Sequence, residues 1–322
     1  MPTAWWVFSF PASVVDMTKL ATTDLDVYGL NLGTNVFGWT ADEQQSFAVL
    51  DAYTAAGGNF LDTADLYGGG GGSETIIGNW LAERGSREDV VIATKLGMWD
   101  RWPGLSAKNI AAAAEDSLRR LQTDHIDLYY AHRDDPDTPL EETLTAFDAL
   151  VRAGKVRHIG ASNYSAERLA DALSISDSNG LARYAVLQPH YNLVERDYEH
   201  ELAPLVAREN LATLPYFALA KGFLTGKYRT KDAGVDSPRA GRAASYLDGR
   251  GERVLAALDA VAAARGTSVA AVALAWLRQQ PTVAAPIASA RTPEQLTDLV
   301  ASVSLELTEA EVAALSRESA LN

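Results

Sequence analysis

The sequence predicts an α/β fold, a single (β/α)8 TIM barrel with an N-terminal hairpin and an extra C-terminal helix. Short apolar runs alternate eight times with longer, Ala-rich segments of helical period. Most of these runs are apolar on successive residues, as parallel strands covered on both faces are. Helix-capping signals open the segments between them. The alternative, an open doubly wound sheet, calls for a Gly-x-Gly-x-x-Gly loop after the first strand, and the sequence contains none.

Taken in order, residues 18–27 alternate enough for a hairpin closing the barrel floor. The eight strand candidates are 28–34, 59–63, 90–95, 126–132, 158–162, 185–191, 212–218 and 282–288. Thr40, Ser73, Ser106 and Ser165 stand where helices should start, and Thr138-Pro139 places proline at a first helical position. Thr292 to Gln295 and Thr308 to Glu311 read as capping boxes, the second opening the extra C-terminal helix. Residues 221–250, rich in Gly and Lys/Arg, read as a long structureless connection of the kind that usually serves function. The domain division expected is an N-terminal extension over 1–17 and one barrel domain over 18–322.

Composition narrows the functional classes. Of 322 residues, 28 are Lys or Arg and 42 are Asp or Glu, a net charge of −14 that argues against nucleic-acid or anionic-membrane surfaces. With no cysteine, disulfides, thiolate nucleophiles and Cys-ligated zinc are excluded. The five His residues form no HExxH, and no P-loop or Gly-x-Ser-x-Gly elbow occurs. The apolar first 15 residues lack a basic start and are too short to span a bilayer, so a cytoplasmic location is expected.

An active site in such a barrel belongs at the C-terminal strand ends. Asp62 ends the second run, Tyr67 follows five residues later, Lys95 ends the third and His132 the fourth. A tyrosine hydroxyl, pKa about 10, is a poor acid at neutral pH unless an ammonium favours its anion. Lys95 would do this, Asp62 would hold Lys95, and His132 could hydrogen-bond a carbonyl oxygen or relay a proton. The set suits carbonyl reduction; it implies no metal, and the hydride has to come from a cofactor. A barrel hydrolase would need paired carboxylates, but Asp62 is matched to Lys95, and Asp134 and Asp135 lie beyond His132.

The stretch GNFLDTADLYG (58–68), followed by Ser73-Glu74 and Gly78, resembles the aldo-keto reductase signature. The resemblance continues through IATK (92–95), DLYYAH (127–132), GASN (160–163), QPHYN (188–192), LTGKY (224–228) and SARTPEQL (289–296), covering nearly all of 18–319. It implies NADPH-dependent reduction of a small-molecule carbonyl substrate, with a tetrad falling on Asp62, Tyr67 as proton donor, Lys95 and His132. It also implies that Ser162, Asn163 and Gln188 hold the nicotinamide carboxamide and that Tyr216 stacks on its ring. Phe217, Ala218, Leu219, Ala220, Lys221 and Lys227 match a loop wrapping the pyrophosphate. Thr34, Asn35 and Asp62 are placed in the cofactor set with Ser289, Arg291 and Gln295. Arg291, just before a helix start, suits a 2′-phosphate, which favours NADPH over NADH. Two positions depart from many relatives, Ser289 in place of Gly and Leu299 in place of Asn, so adenine recognition is expected to rest on Gln295 and packing. The glycine run 68–72 reads as a turn bringing backbone close to the cofactor. Trp39, Met98, Trp99, Trp102, His190 and Tyr191 are candidates for lining an aromatic substrate pocket, with Trp39, Trp99 and His190 the leading three. A second class, a cofactor-binding regulatory subunit like the potassium-channel beta subunits, shares the tetrad. The sequence names neither the substrate nor an oligomeric state.

Overall fold

The computed structural model describes residues 17–230 and 240–320. The N-terminal extension up to residue 16, and Gly234 and Pro238 of the long connection, lie outside the described residues. Strands β1 (Met17–Lys19) and β2 (Asp26–Tyr28) form the antiparallel hairpin, its turn tied by the Thr23 hydroxyl donating to the Leu20 carbonyl. Eight parallel strands follow in the order β10-β3-β4-β5-β6-β7-β8-β9. They are β3 (Asn31–Gly33), β4 (Phe60–Asp62), β5 (Val91–Leu96), β6 (Ile126–Ala131), β7 (Val156–Ser162), β8 (Tyr184–Gln188), β9 (Ala212–Thr213) and β10 (Ile287–Ala288). The barrel closes through a parallel bridge from Thr213 to Val283 and an Ile287 N–H donating to the Pro215 carbonyl.

Helices α1 (Glu43–Ala55), α2 (Gly72–Arg84), α3 (Ala107–Leu121), α4 (Leu140–Arg152), α5 (Ala166–Asn179) and α6 (Leu202–Arg208) follow β3 to β8 in turn. After β9 come α7 (Ala240–Ala244), α8 (Gly249–Arg265) and α9 (Val269–Arg278), and after β10 come α10 (Pro293–Val300) and α11 (Glu309–Glu318). Ser106, Ser165, Thr292 and Thr308 cap their helices through side-chain oxygens, but only Thr308 and Glu311 close the expected capping box; the Gln295 side chain accepts from the Arg291 N–H instead, and Ser73 is the second residue of α2, whose cap is Gly71. The cap of α1 is Asp42, not Thr40, with Gln45 completing a capping box. Pro139 is the cap of α4 and precedes its first turn. The connection after β9 is not structureless either: residues 220–225 turn in short 3-10 fashion broken by a kink at Lys221 and Gly222, and α7 and the start of α8 fall inside the predicted loop. Among the described residues no single helix is long and apolar enough to cross a membrane.

Two cores result from the alternation of side chains along each strand. Residues facing the helices form the larger outer core. Phe60, Val91, Ala93, Leu128, Tyr130 and Val186 face inward and pack on Leu20, Leu25 and Val27 of the hairpin, which plugs the barrel floor. The same two-residue step carried upward from Phe60, Ala93, Tyr130 and Val186 reaches Asp62, Lys95, His132 and Gln188. Strand parity therefore delivers four polar side chains to the catalytic end of the interior. Gly78 fixes the approach of α2 to α3, since a Cβ there would stand 2.2 Å from the Arg120 carbonyl oxygen.

Candidate active site

Lys95 is wholly buried, and its ammonium donates to Asp62 Oδ1 and to the Thr63 carbonyl, each at 2.6 Å. The other Asp62 oxygen accepts from Gln188 Nε2 at 2.8 Å. Register places Asp62 beside Ala93 and Lys95 beside Tyr130, so the pair spans adjacent strands. Burial alone pulls the Lys95 ammonium down, but Asp62 and then Tyr67 outweigh it and raise its pKa. The ammonium lies 5.1 Å from the centre of the Tyr67 ring. Tyr67 meets His132 edge-on with ring centres 6.0 Å apart. Burial, with the charges of Lys95 and Arg133, holds His132 well below the usual imidazole range, so it is neutral at pH 7. Its Nδ1 is buried without a hydrogen-bond partner.

Asp62, Tyr67 and His132 open into a cavity of about 690 Å³ that extends to Arg291 and Gln295. Of the residues expected to hold a cofactor, Asn35, Ser162, Asn163, Gln188, Tyr216, Phe217, Ala218, Leu219, Lys221, Lys227 and Ser289 line this cavity. Thr34 and Ala220 do not: both are wholly buried. The Thr34 hydroxyl is spent on the Asp62 carbonyl at 2.9 Å and accepts from Ser73, which also receives the Thr63 hydroxyl. Asn163 donates to the His132 carbonyl and accepts from the Tyr216 hydroxyl at 2.7 Å. Tyr216 is backed by His190, whose ring stacks on it at 5.3 Å and 14°. His190 thus sits behind the cavity wall, not on it. Phe217, Ala220 and Lys221 all have positive φ although none is glycine, which is strain concentrated on the loop over the cavity.

Trp39 and Met98 line the mouth, whereas Trp99 does not. The Trp99 ring lies over Gly70, where a Cβ would come within 2.5 Å of it, and under the Arg120 guanidinium. The glycine run is therefore shaped by packing against Trp99 and Arg120. Trp102 points away to Asp116, to which its indole donates. Residues not singled out from sequence also line the cavity, among them Val36, Ser268, Asp298 and Arg133. Only Arg133 had a signal, its place directly after His132.

Beneath the site is a second buried charged group. Glu74 accepts from Thr94 and from Arg120, and Asp65 is fully buried nearby. Burial and then Glu74 push the Asp65 carboxyl up to about 7, against the opposing pull of Arg120. A carboxyl raised in the folded state contributes stability below its unfolded pKa and loses it as pH rises toward 7. We expect Asp65→Asn to match the native chain near pH 4 in denaturant unfolding and to exceed it by roughly 2–4 kcal/mol near pH 8. A variant less stable at the higher pH would show that Asp65 is held ionised.

Comparison with known proteins decides the family. The aldo/keto reductase family model matches residues 29–319. The chain belongs to the aldo/keto reductase family. It is 35% identical over 324 residues to Protein tas of Escherichia coli, covering 90% of this chain and 94% of that protein. It is 37% identical to the oxidoreductase YrpG of Bacillus subtilis, covering 91% and 92%. Norsolorinic acid reductase stcV of Emericella nidulans is 35% identical over 88% of this chain and 76% of its own. The chain is accordingly an oxidoreductase of aldo/keto reductase type.

Proposed function

We propose that the protein is an NADPH-dependent carbonyl reductase that converts aldehydes or ketones to alcohols, with Tyr67 as proton donor. The observation that carries this reading is the single cavity joining Asp62, Tyr67 and His132 at one end to Arg291 at the other. Its lining fits a dinucleotide: amide groups of Asn163 and Gln188 beside the tetrad, Lys221 and Lys227 along the loop, and Arg291 before the N-terminus of α10. When bound, the reduced nicotinamide supplies hydride to the carbonyl carbon. Tyr67 gives its hydroxyl proton to the carbonyl oxygen as negative charge develops there. The Lys95 ammonium stabilises the phenolate left behind, and Asp62 keeps that ammonium charged and in place. His132, neutral, acts as a hydrogen-bonding group that orients the carbonyl oxygen and not as a second acid. The Tyr216 ring, fixed by Asn163 and His190, offers a flat face against which the nicotinamide can rest.

The reading is tested by NADPH oxidation with 4-nitrobenzaldehyde, alongside binding of NADPH and NADH to native and Arg291→Ala protein. Aldehyde-dependent oxidation is expected. Arg291→Ala should weaken NADPH binding roughly 10- to 100-fold, the size of a lost charge-assisted contact, and leave NADH binding almost unmoved. Parallel weakening of both would remove Arg291 from the 2′-phosphate.

A further inference from the structure

We infer that Arg133 recognises an anionic group on the substrate, so that the carbonyl compounds this enzyme prefers carry a carboxylate on an aromatic or similarly apolar body. This rests on the reductase reading above and names the substrate class of the same site.

Arg133 lies on the β6–α4 loop directly after His132, is exposed, and lines the cavity. The acids next to it in sequence are committed elsewhere. Asp134 is held by both arms of the Arg168 guanidinium, at 2.8 and 2.9 Å. Asp135 accepts from the Leu105 N–H and the Thr138 hydroxyl, both at 2.7 Å. Arg133 itself makes no ion pair or hydrogen bond with any described residue. The other cations lining the cavity, Lys221, Lys227 and Arg291, come from the β9 and β10 loops and belong to the arm assigned to the dinucleotide. Arg133 is thus the cation on the tetrad's own side.

The neighbouring wall supplies the rest of the specificity. Trp39 and Met98, 54% and 41% exposed, are two of the three exposed large hydrophobic residues among those described, and both stand at this mouth. Exposed apolar surface gathered at a cavity opening marks a ligand site. In a chain of net charge −14, a guanidinium that no carboxylate pairs with, Asp135 acting on it only through space, also offsets at that opening the repulsion an anionic substrate would otherwise meet. Its planar fork matches a carboxylate better than an ammonium would.

The test pairs 4-(hydroxymethyl)benzoate with its methyl ester in calorimetric titrations of the full chain, with and without NADPH. It also pairs 4-carboxybenzaldehyde with methyl 4-formylbenzoate in turnover. The acid is expected to bind roughly 10- to 100-fold more tightly than the ester, as a charge-assisted pair implies. Arg133→Gln should cancel that preference and lower the acid-to-ester ratio of kcat/KM by a similar factor, and Arg133→Lys should retain part of it. Equal binding of acid and ester to native protein, or a preference that survives in Arg133→Gln, overturns the inference. Turnover of both aldehydes without discrimination sinks this inference and leaves the reductase reading intact. An Arg133-dependent preference without turnover sinks the reductase reading and sustains the anion site.

Discussion

Tyr67→Phe is expected to lower carbonyl reduction by about 10²- to 10⁴-fold, the range for loss of a positioned general acid, while NADPH binds as before. The substitution removes one oxygen and keeps the ring that meets His132 edge-on. Packing around the site should therefore survive, and the loss should fall on kcat. The measurement is single-turnover reduction of an aldehyde beside fluorescence titration with NADPH. A variant that binds cofactor normally and still reduces at more than a tenth of the native rate would take the proton-donor role away from Tyr67. Because His132 is neutral by burial, the native pH–rate profile should carry no step near the ordinary imidazole range; such a step would return His132 to the list of acids.

Lys95→Met carries the second large effect, and it reaches stability as well as catalysis. The variant leaves the buried Asp62 carboxylate with Gln188 as its remaining side-chain partner. Breaking a buried ion pair from one side costs about 3–5 kcal/mol because the remaining charge is uncompensated. Denaturant unfolding should show that loss at neutral pH. Asp62→Asn combined with Lys95→Met should recover much of it, since a neutral amide beside a thioether strands no charge. Reductase activity should stay low in both variants. Full native stability in Lys95→Met would mean that Asp62 is already protonated, and would undercut the account of Lys95 as a charged neighbour of Tyr67.

These expectations depend on side chains whose placement was largely legible in the sequence. Asp62, Lys95 and His132 stand at or beside the ends of apolar runs and Gln188 inside the run 185–191, and a strand's two-residue period decides which of its side chains face inward. Once the runs are parallel barrel strands, those four must meet, and in the structure they do. The caps at Ser106, Ser165, Thr292 and Thr308 were equally legible, because a cap is a bond between a side chain and a backbone N–H three residues away.

The loops were less legible. Trp99 and Trp39 look alike as aromatic residues following strands, but one covers Gly70 and the other stands at the cavity mouth. Thr34 ends its strand as a ligand residue would, yet its hydroxyl is taken by the Asp62 carbonyl 28 positions away. His190 backs Tyr216 instead of facing the cavity, since the irregular backbone after β8 ends strand parity.

The sequence by itself determined the barrel, the hairpin under its floor, the gathering of Asp62, Lys95 and His132 at one end of the strands, and the family, because periodicity, caps and motif spacing act between near neighbours on the chain. The tertiary structure decided which aromatic residues reach the cavity, that His132 is neutral, that Asp65 is pushed toward neutral pH, and that no carboxylate pairs with Arg133. Each of these depends on desolvation, or on which distant group has already taken a partner, and burial and charge pairing are settled only when segments far apart in sequence pack together.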